Sequence, residues 1–542
     1  MAQTSDPFPT DAAGLPEART AEPFELGDGA RFDLRIAPVA KRLGGATVRM
    51  LAYNGSIPGP TLRVRQGSRL VVHVVNEGDL EATVHWHGLR LENRYDGTTE
   101  TQRPIPVGGS FTYEIEFPDP GVYWYHPHIR EDCGQEMGLY GNIVVVPAEP
   151  GYWPAVHREL ALTLDDVLLE DGKVAPFDRS HPTYTAMGRF GNLLLVSGEP
   201  ELSLTARQGE VVRLYLTDTA NTRVFNVAVR GARMKLVGGD SGHYEREELV
   251  ESVVLAPSER AVVDVLFDRP GQATLEHRTP GRTYTLATIA VGDEPAEPAL
   301  APRFADLRTN PDLAAERQRI APYLEAAPDK TLSLVAEMDM GTPELPAGAA
   351  IEYYCPMHAE VVSSKPGRCP QCGMKLLARE AGGHHHGHSH DGGDEHPHEH
   401  DGKHAPETQG IEWEDDMVEV NRLTTPANMR WKLIDRATGA EGAAIDWRFR
   451  VGERVKIRLV NEMDSDHPMH HPFHLHGAGR FLVLARDGAV EPNLVWKDTV
   501  LVRTGQTVDI LFEITNPGVW MAHCHIAEHH ESGMMFCFLV EP

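Results

Sequence analysis

The chain has 542 residues, with 79 acidic against 51 basic side chains and a formal net charge of −28 at neutral pH. That balance argues against nucleic acid or an anionic membrane surface as a partner. No run of about 18 apolar residues is present to cross a bilayer. The length suits about three or four domains, and a hydrophobic fraction of 41% is ample for their cores.

The first stretch, MAQTSDPFPTDAAG, lacks the apolar segment of a signal peptide. It predicts either a cytoplasmic chain or a mature form with an added Met1, with residues 1–28 as a flexible tail. From there the pattern is that of strands. GSRLVVHVVNEG (67–78), GEVVRLYLTDTA (209–220) and GERVKIRLVNEM (452–463) repeat one element: a glycine turn, then alternating apolar residues. Each is followed by a Pro-Gly turn and another strand: PGVYWYHPH (120–128), PGQATLEHR (270–278) and PGVWMAHCH (517–525). Short strands at regular spacing predict β-sandwiches, and three copies predict three of them. The boundaries read as 29–149, 150–295 and a third unit split into 331–344 and 409–542, with 296–330 as a linker.

The copies differ in their histidines. The first carries His85 and His87 in HWHG, then His126 and His128. The third carries His471, His474 and His476 in HPFHLHG, then His523 and His525. The second has Val227 and Val229 in NVAVRG, then Glu276 and Arg278. The middle copy therefore reads as a spacer for the outer two. On a strand, residues i and i+2 share a face about 6–7 Å apart. Such pairs suit a site holding metals about 4 Å apart. Cys524 points to the opposite face from its neighbours His523 and His525, so one strand serves two sites. Cys524, His529, His471 and Met534 have the composition of a blue-copper electron-transfer site.

The segment 353–377, YYCPMHAEVVSSKPGRCPQCGMKLL, offers Cys355, His358, Cys369 and Cys372, with Met357 and Met374 nearby. A piece this short and rich in Pro and Gly needs a staple, and a metal supplies one. Zinc fits three cysteines and a histidine; the methionines favour Cu(I). The module is placed at 345–380, followed by a His-rich segment at 381–408 that is predicted to be disordered and to capture metal weakly. Cys537 reads as a small buried core residue and Cys133 as the same or a reactive thiol; no disulfide between them is expected.

In this order, HWHG, YHPH, HPFHLHG and HCHIAEHHESGM resemble the four copper signatures of the multicopper oxidases, in the laccase-like, three-domain branch. The resemblance covers roughly residues 30–340 and 408–542. It implies an all-β fold of three cupredoxin-like Greek-key sandwiches and four copper ions. It implies a type 1 copper on His471, Cys524, His529 and Met534, and a type 2 copper on His85 and His474. It implies a type 3 pair, one ion on His87, His126 and His525, the other on His128, His476 and His523. Electrons from a reducing substrate would pass from the type 1 copper to dioxygen. Asp96 in RYDG stands where the family keeps a carboxylate near the cluster. Where relatives often carry a second acid, this chain has His530, with Glu528 and Glu531 beside it as alternatives. The inserted segment resembles the heavy-metal-binding module of copper-exporting ATPases. A monomer in the periplasm or outside the cell is expected, its partners dioxygen and a small reducing substrate or Cu(I). Three functions compete: a laccase for phenols and aromatic amines, a cuprous oxidase serving copper tolerance, and a non-catalytic copper-sequestering protein.

Overall fold

A computed structural model describes residues 8–341, 349–382 and 409–542. The His-rich tract at 384–404 lies outside them. Six sheets pair into three β-sandwiches. The five-stranded sheets of the three copies share one arrangement. In the third copy, Arg448–Arg450 lies parallel to Met535–Glu541, which is antiparallel to Gly518–Cys524, then His471–Leu475, then Thr499–Val502. The first copy runs Thr61–Arg65, Gly141–Val146, Gly121–His126, His85–His87 in the same order, with Pro23–Leu26 added at its edge. In every copy the Pro-Gly strand pairs with the strand that carries, or could carry, histidines.

Alternation explains the outer copies. In Arg69–Asn76, Leu70, Val72 and Val74 turn inward while the intervening residues are exposed or half-buried. The equivalent strand of the middle copy, Glu210–Asp218, is buried along its whole length. Its inner face fills the second core. Its outer face meets the first sandwich, where Tyr215, Val237 and Val262 pack against Val122 and Val144.

Three expectations change. Strand pairing puts Ala228 opposite Glu276 and Arg230 opposite Thr274, as His85 faces His126 and His87 faces Trp124. The counterparts of His85 and His87 are therefore Ala228 and Arg230, one residue later than Val227 and Val229. An ion cluster, Glu276 with Arg230 at 2.7 Å and Arg278 at 2.8 Å, stands where the outer copies have imidazoles. The linker at 296–330 holds a helix, Pro311–Glu325. Pro311 opens it, where a missing N–H costs nothing, and Leu313 and Ile320 pack on Leu482, Leu484, Trp496 and Leu511. Cys537 is half-buried on an alternating strand rather than a core residue; it and Cys133 are both free thiols. No described helix is long and apolar enough to cross a membrane.

The insertion interrupts the third sandwich between Lys330–Met338 and Met429–Asp435, which pair regardless, Ala336 facing Trp431. Its own strands, Ile351–Tyr354, Val362–Ser363 and Leu377–Glu380, form a separate small sheet.

Candidate metal centres

The strands His85–His87 and Gly121–His126 of the first sandwich meet His471–Leu475 and Gly518–Cys524 of the third. Eight imidazoles gather there, none more than 6% exposed. His87, His126 and His525 form one triangle, with ring centroids 5.0–5.7 Å apart. His128, His476 and His523 form another, at 4.9–5.2 Å. His85 and His474 face each other at 5.9 Å. All eight residues expected from sequence lie in one cluster, within which His85 is nearer His476, at 4.1 Å, and His87 nearer His474, at 3.9 Å, than either is to its expected co-ligands.

Their outer nitrogens are held by the fold. The Nδ1 atoms of His85, His126, His474 and His523 lie 2.7–2.9 Å from the backbone oxygens of Asp96, Pro127, Asp498 and Cys524. His476 Nδ1 lies 2.8 Å from Asp96 Oδ2. With Nδ1 donating, Nε2 keeps a lone pair, and Nε2 of His85, His126 and His474 has no hydrogen-bond partner. In His87 the roles reverse: Nε2 meets Asp498 Oδ1 at 3.0 Å and Thr499 Oγ1 at 3.1 Å, and Nδ1 is the orphan. Burial first, then crowding by other imidazoles, lowers the pKa of all eight; His85 falls to about 3. Neutral rings are what a metal requires. His476 Nε2 and His523 Nε2 stand 3.0 Å apart with both Nδ1 atoms already committed as donors. Two lone pairs that close call for a cation between them. The donor set therefore fits copper, and hydrogen bonds to backbone, carboxylate and hydroxyl fix six of the eight rings as ligating histidines require, while both ring nitrogens of His525 are left without a partner.

Asp96 is set by its neighbour. Gly97 has φ +81°, and a Cβ there would overlap the Val84 carbonyl. Only glycine lets the chain turn so tightly beneath His85. Burial raises the Asp96 carboxyl to about 6.

On the other side of the strand, Cys524 Sγ lies 3.5 Å from His471 Nδ1 and 3.8 Å from His529 Nδ1, all three buried. Met534 is fully buried, and its carbonyl accepts from Cys524 N–H at 3.1 Å. Sequence reasoning missed Trp431, which stacks on His529 and turns its edge toward His471.

Glu131 was also missed, and His530 reads in the sequence only as a departure from the second acid of the family. His530 lies 4.3 Å from His523 and 5.0 Å from His128 between ring centroids, and its Nδ1 is 3.2 Å from Glu131 Oε2. Glu131 Oε1 is 3.2 Å from His128 Nε2. The spacing of Glu131, three residues after His128, was the available signal. Glu531 accepts from Glu131 N–H at 3.1 Å. Glu528 faces away, accepting from Asn221 and Thr222 of the middle copy at 3.2 and 3.3 Å. Burial, then Asp132, raises Glu528 to about 8 and Glu531 to about 7. The middle copy also supplies Arg260, buried against Asp498, which in turn holds His87. It is more than a spacer.

In the insertion, Cys355, His358, Cys369 and Cys372 converge: both Cys355 and Cys369 Sγ lie 3.6 Å from His358 Nδ1, and Cys355 Sγ lies 3.7 Å from Cys372 Sγ. The Cys372 hydrogen bond, with help from His358, lowers the Cys355 thiol to about 5. Met374 is fully buried beside them and Met357 half-buried.

Two multicopper oxidase family models match residues 37–150 and 414–542, and a heavy metal binding domain model matches 352–378. The chain is 27% identical to multicopper oxidase MmcO of Mycobacterium tuberculosis, over 98% of this chain and 91% of that one. It is 25% identical to Laccase-3 of Oryza sativa, over 94% and 91%. A multicopper oxidase from Campylobacter jejuni, described as a metallo-oxidase, shares the fold with a TM-score of 0.65 at 20% identity, covering 98% of each chain. This chain is a multicopper oxidase, a copper-dependent oxidoreductase that uses oxygen, and it carries an inserted heavy-metal-binding module.

Proposed function

We propose that the enzyme oxidises Cu(I) one electron at a time at a type 1 site and reduces dioxygen to water at a trinuclear site, small phenols or aromatic amines being secondary donors. Copper, when bound, supplies the one-electron exchange at the first site and the oxygen chemistry at the second. His471, Cys524, His529 and Met534 would hold the type 1 ion. His85 and His474 would hold the type 2 ion. His87, His126 and His525, and His128, His476 and His523, would hold the type 3 pair.

Cys524 links the two sites through its own backbone, being bonded on either side to His523 and His525. The surrounding strands exclude water from all of these ligands. Asp96 would hold a proton at Oδ1, the oxygen that does not accept from His476, on the type 2 side. Glu531, half-exposed, would take protons from solvent and pass them toward Glu131 and His530 on the type 3 side. Glu528 would serve as a further proton-holding carboxyl at the edge of that acid group.

One observation favours a metal ion over an organic donor. Neither imidazole beside Cys524 reaches solvent: His471 and His529 are both 0% exposed. A bulky aromatic has no ring edge to touch, whereas a four-ligand metal site is built into the same unit. The metallo-oxidase description of the Campylobacter jejuni structure agrees with this reading, and the rice laccase supports the organic one. The test is kcat/KM for Cu(I) and for a phenol, measured on one preparation under air. A higher value for the phenol than for Cu(I) would overturn the assignment of Cu(I) as the primary donor.

A further inference from the structure

The inserted module is seated on the oxidase. Lys375 N–H donates to Asp466 O at 2.8 Å, and its ammonium donates to Met338 O at 2.7 Å and pairs with Asp466 Oδ2 at 3.1 Å. Arg368 donates to Ser465 O and reaches Asp464 and Asp466 at 3.1 and 3.4 Å. Gly373, next to Cys372, is so close to the oxidase that a Cβ would lie 3.3 Å from Pro468 and 3.4 Å from Met463. Pro468 precedes His471 by three residues, so their Cα atoms are at most about 11 Å apart.

The other flank of the ligand set reaches the same place. The His358 imidazole bears electrostatically on Glu412 and Asp416, and Glu412 N–H donates to His470 Nδ1 at 3.1 Å. Met357 and Cys372 pack at once against the module's core around Cys355 and Cys369 and against the main core, which includes Met374, Met469 and Cys524. Both ends of the four-ligand group therefore abut residues that run directly into His471.

Resting on the metal-ion reading above, we propose that the docked module is a fixed seat from which Cu(I), held by Cys355, His358, Cys369 and Cys372, gives its electron to the site of His471, Cys524 and His529. The ion loses one electron and becomes Cu(II); the resident copper of that site gains it. No protein bond forms or breaks, and the thiolates end as they began. Thiolate and thioether ligands favour the cuprous ion, and imidazole and carboxylate favour the cupric one. His358 belongs to both surroundings, with the cysteine sulfurs on one side and Glu412 and Asp416 on the other. The oxidised ion leaves by that harder set, through the exposed Asp416.

A tethered arm and a docked seat differ in kinetic order. One equivalent of Cu(I) is added without oxygen to the full, copper-loaded enzyme, and loss of its blue absorption is followed by stopped flow. A docked seat gives a first-order decay whose rate constant does not change with protein concentration. The double variant Arg368→Ser, Lys375→Ser alters only half-exposed docking contacts. It should bind Cu(I) with unchanged affinity in a chelator titration yet bleach roughly tenfold or more slowly, because the effective concentration of the seated ion falls. Hydroquinone should bleach both proteins equally. A decay that scales with protein concentration, or one unaltered in the double variant, overturns the seat and leaves Cu(I) as a substrate from solution. A blue band that Cu(I) does not bleach at all overturns the metal-ion reading as well.

Discussion

Trp431 lies against the imidazole of His529, with ring centroids 4.1 Å apart and planes inclined by 28°. Its indole N–H donates to the Thr185 carbonyl of the middle copy at 2.7 Å, so one side chain ties a candidate ligand of the third sandwich to the second. Trp431 is 1% exposed. Trp431→Ala should lower the unfolding free energy by about 3–5 kcal/mol and broaden the blue absorption as His529 loosens. Trp431→Phe should keep the stacking and most of the spectrum. Denaturant titration and visible spectra of the two variants check this.

Asp96 holds His476 in place at 2.8 Å, and the proposed proton-holding role is separable from that. Asp96→Asn retains an oxygen that can accept from His476 Nδ1, so the copper content should stay at the parent level. Reoxidation of the reduced enzyme by dioxygen should slow, because an amide does not give up a proton. Asp96→Ala removes both tasks, and copper affinity should drop by about 10–100-fold. Metal analysis and stopped-flow reoxidation separate the outcomes. Normal reoxidation in Asp96→Asn would leave Asp96 as a positioning residue alone.

Arg260 and Asp498 form a buried pair between the middle and third sandwiches, both 2% exposed or less. Removing one partner of such a pair typically costs about 3–5 kcal/mol, since the other charge stays buried. Arg260→Met should therefore destabilise the protein by that order. It should also disturb His87, which shares Asp498. A melting temperature within a degree or so of the parent would show the pair to be dispensable.

Glu136 gives a pH dependence away from the metal ligands. Its Oε1 accepts from Leu168 N–H and from Arg189, while Oε2 is buried without a partner. Burial, only partly offset by Arg189, raises this carboxyl to about 7. The folded group thus holds its proton more tightly than the unfolded one. Its stabilising contribution is full below about pH 4.5 and is lost as pH rises through about 7. Relative to the parent, Glu136→Gln should gain stability between those limits, on the order of 3 kcal/mol. Thermal melts of both proteins across pH 4.5–8 should show the gap opening with rising pH; a constant gap would remove Glu136 as its source.

The candidate ligands were legible because His-x-His pairs recur at matching places in a repeat, and a period of two fixes which face each residue takes. The middle copy was misread by one residue because its valines alternate as well as histidines would; only the pairing of Ala228 with Glu276 fixes the register. The helix at 311–325 was passed over because its surface is mostly charged, although Asn310-Pro311 marked its start. Trp431, Arg260 and the Glu131–His530 pair were not legible. Each acts across a contact between sandwiches, and Glu131 and His530 are 399 residues apart in the chain. Local pattern carries no record of which distant surfaces will meet.

The division of the imidazoles between first and last sandwiches also sets an order of events in synthesis. His85, His87, His126 and His128 leave the ribosome about 350 residues before His474 and His476, and His523 and His525 follow later still. Until then the early histidines lack the partners that the third sandwich supplies, although His85, His87 and His126 already lie close enough together to hold one ion. The full set of eight imidazoles therefore exists only on a nearly finished chain. The architecture would thereby withhold the complete cluster from every partly made copy of the enzyme.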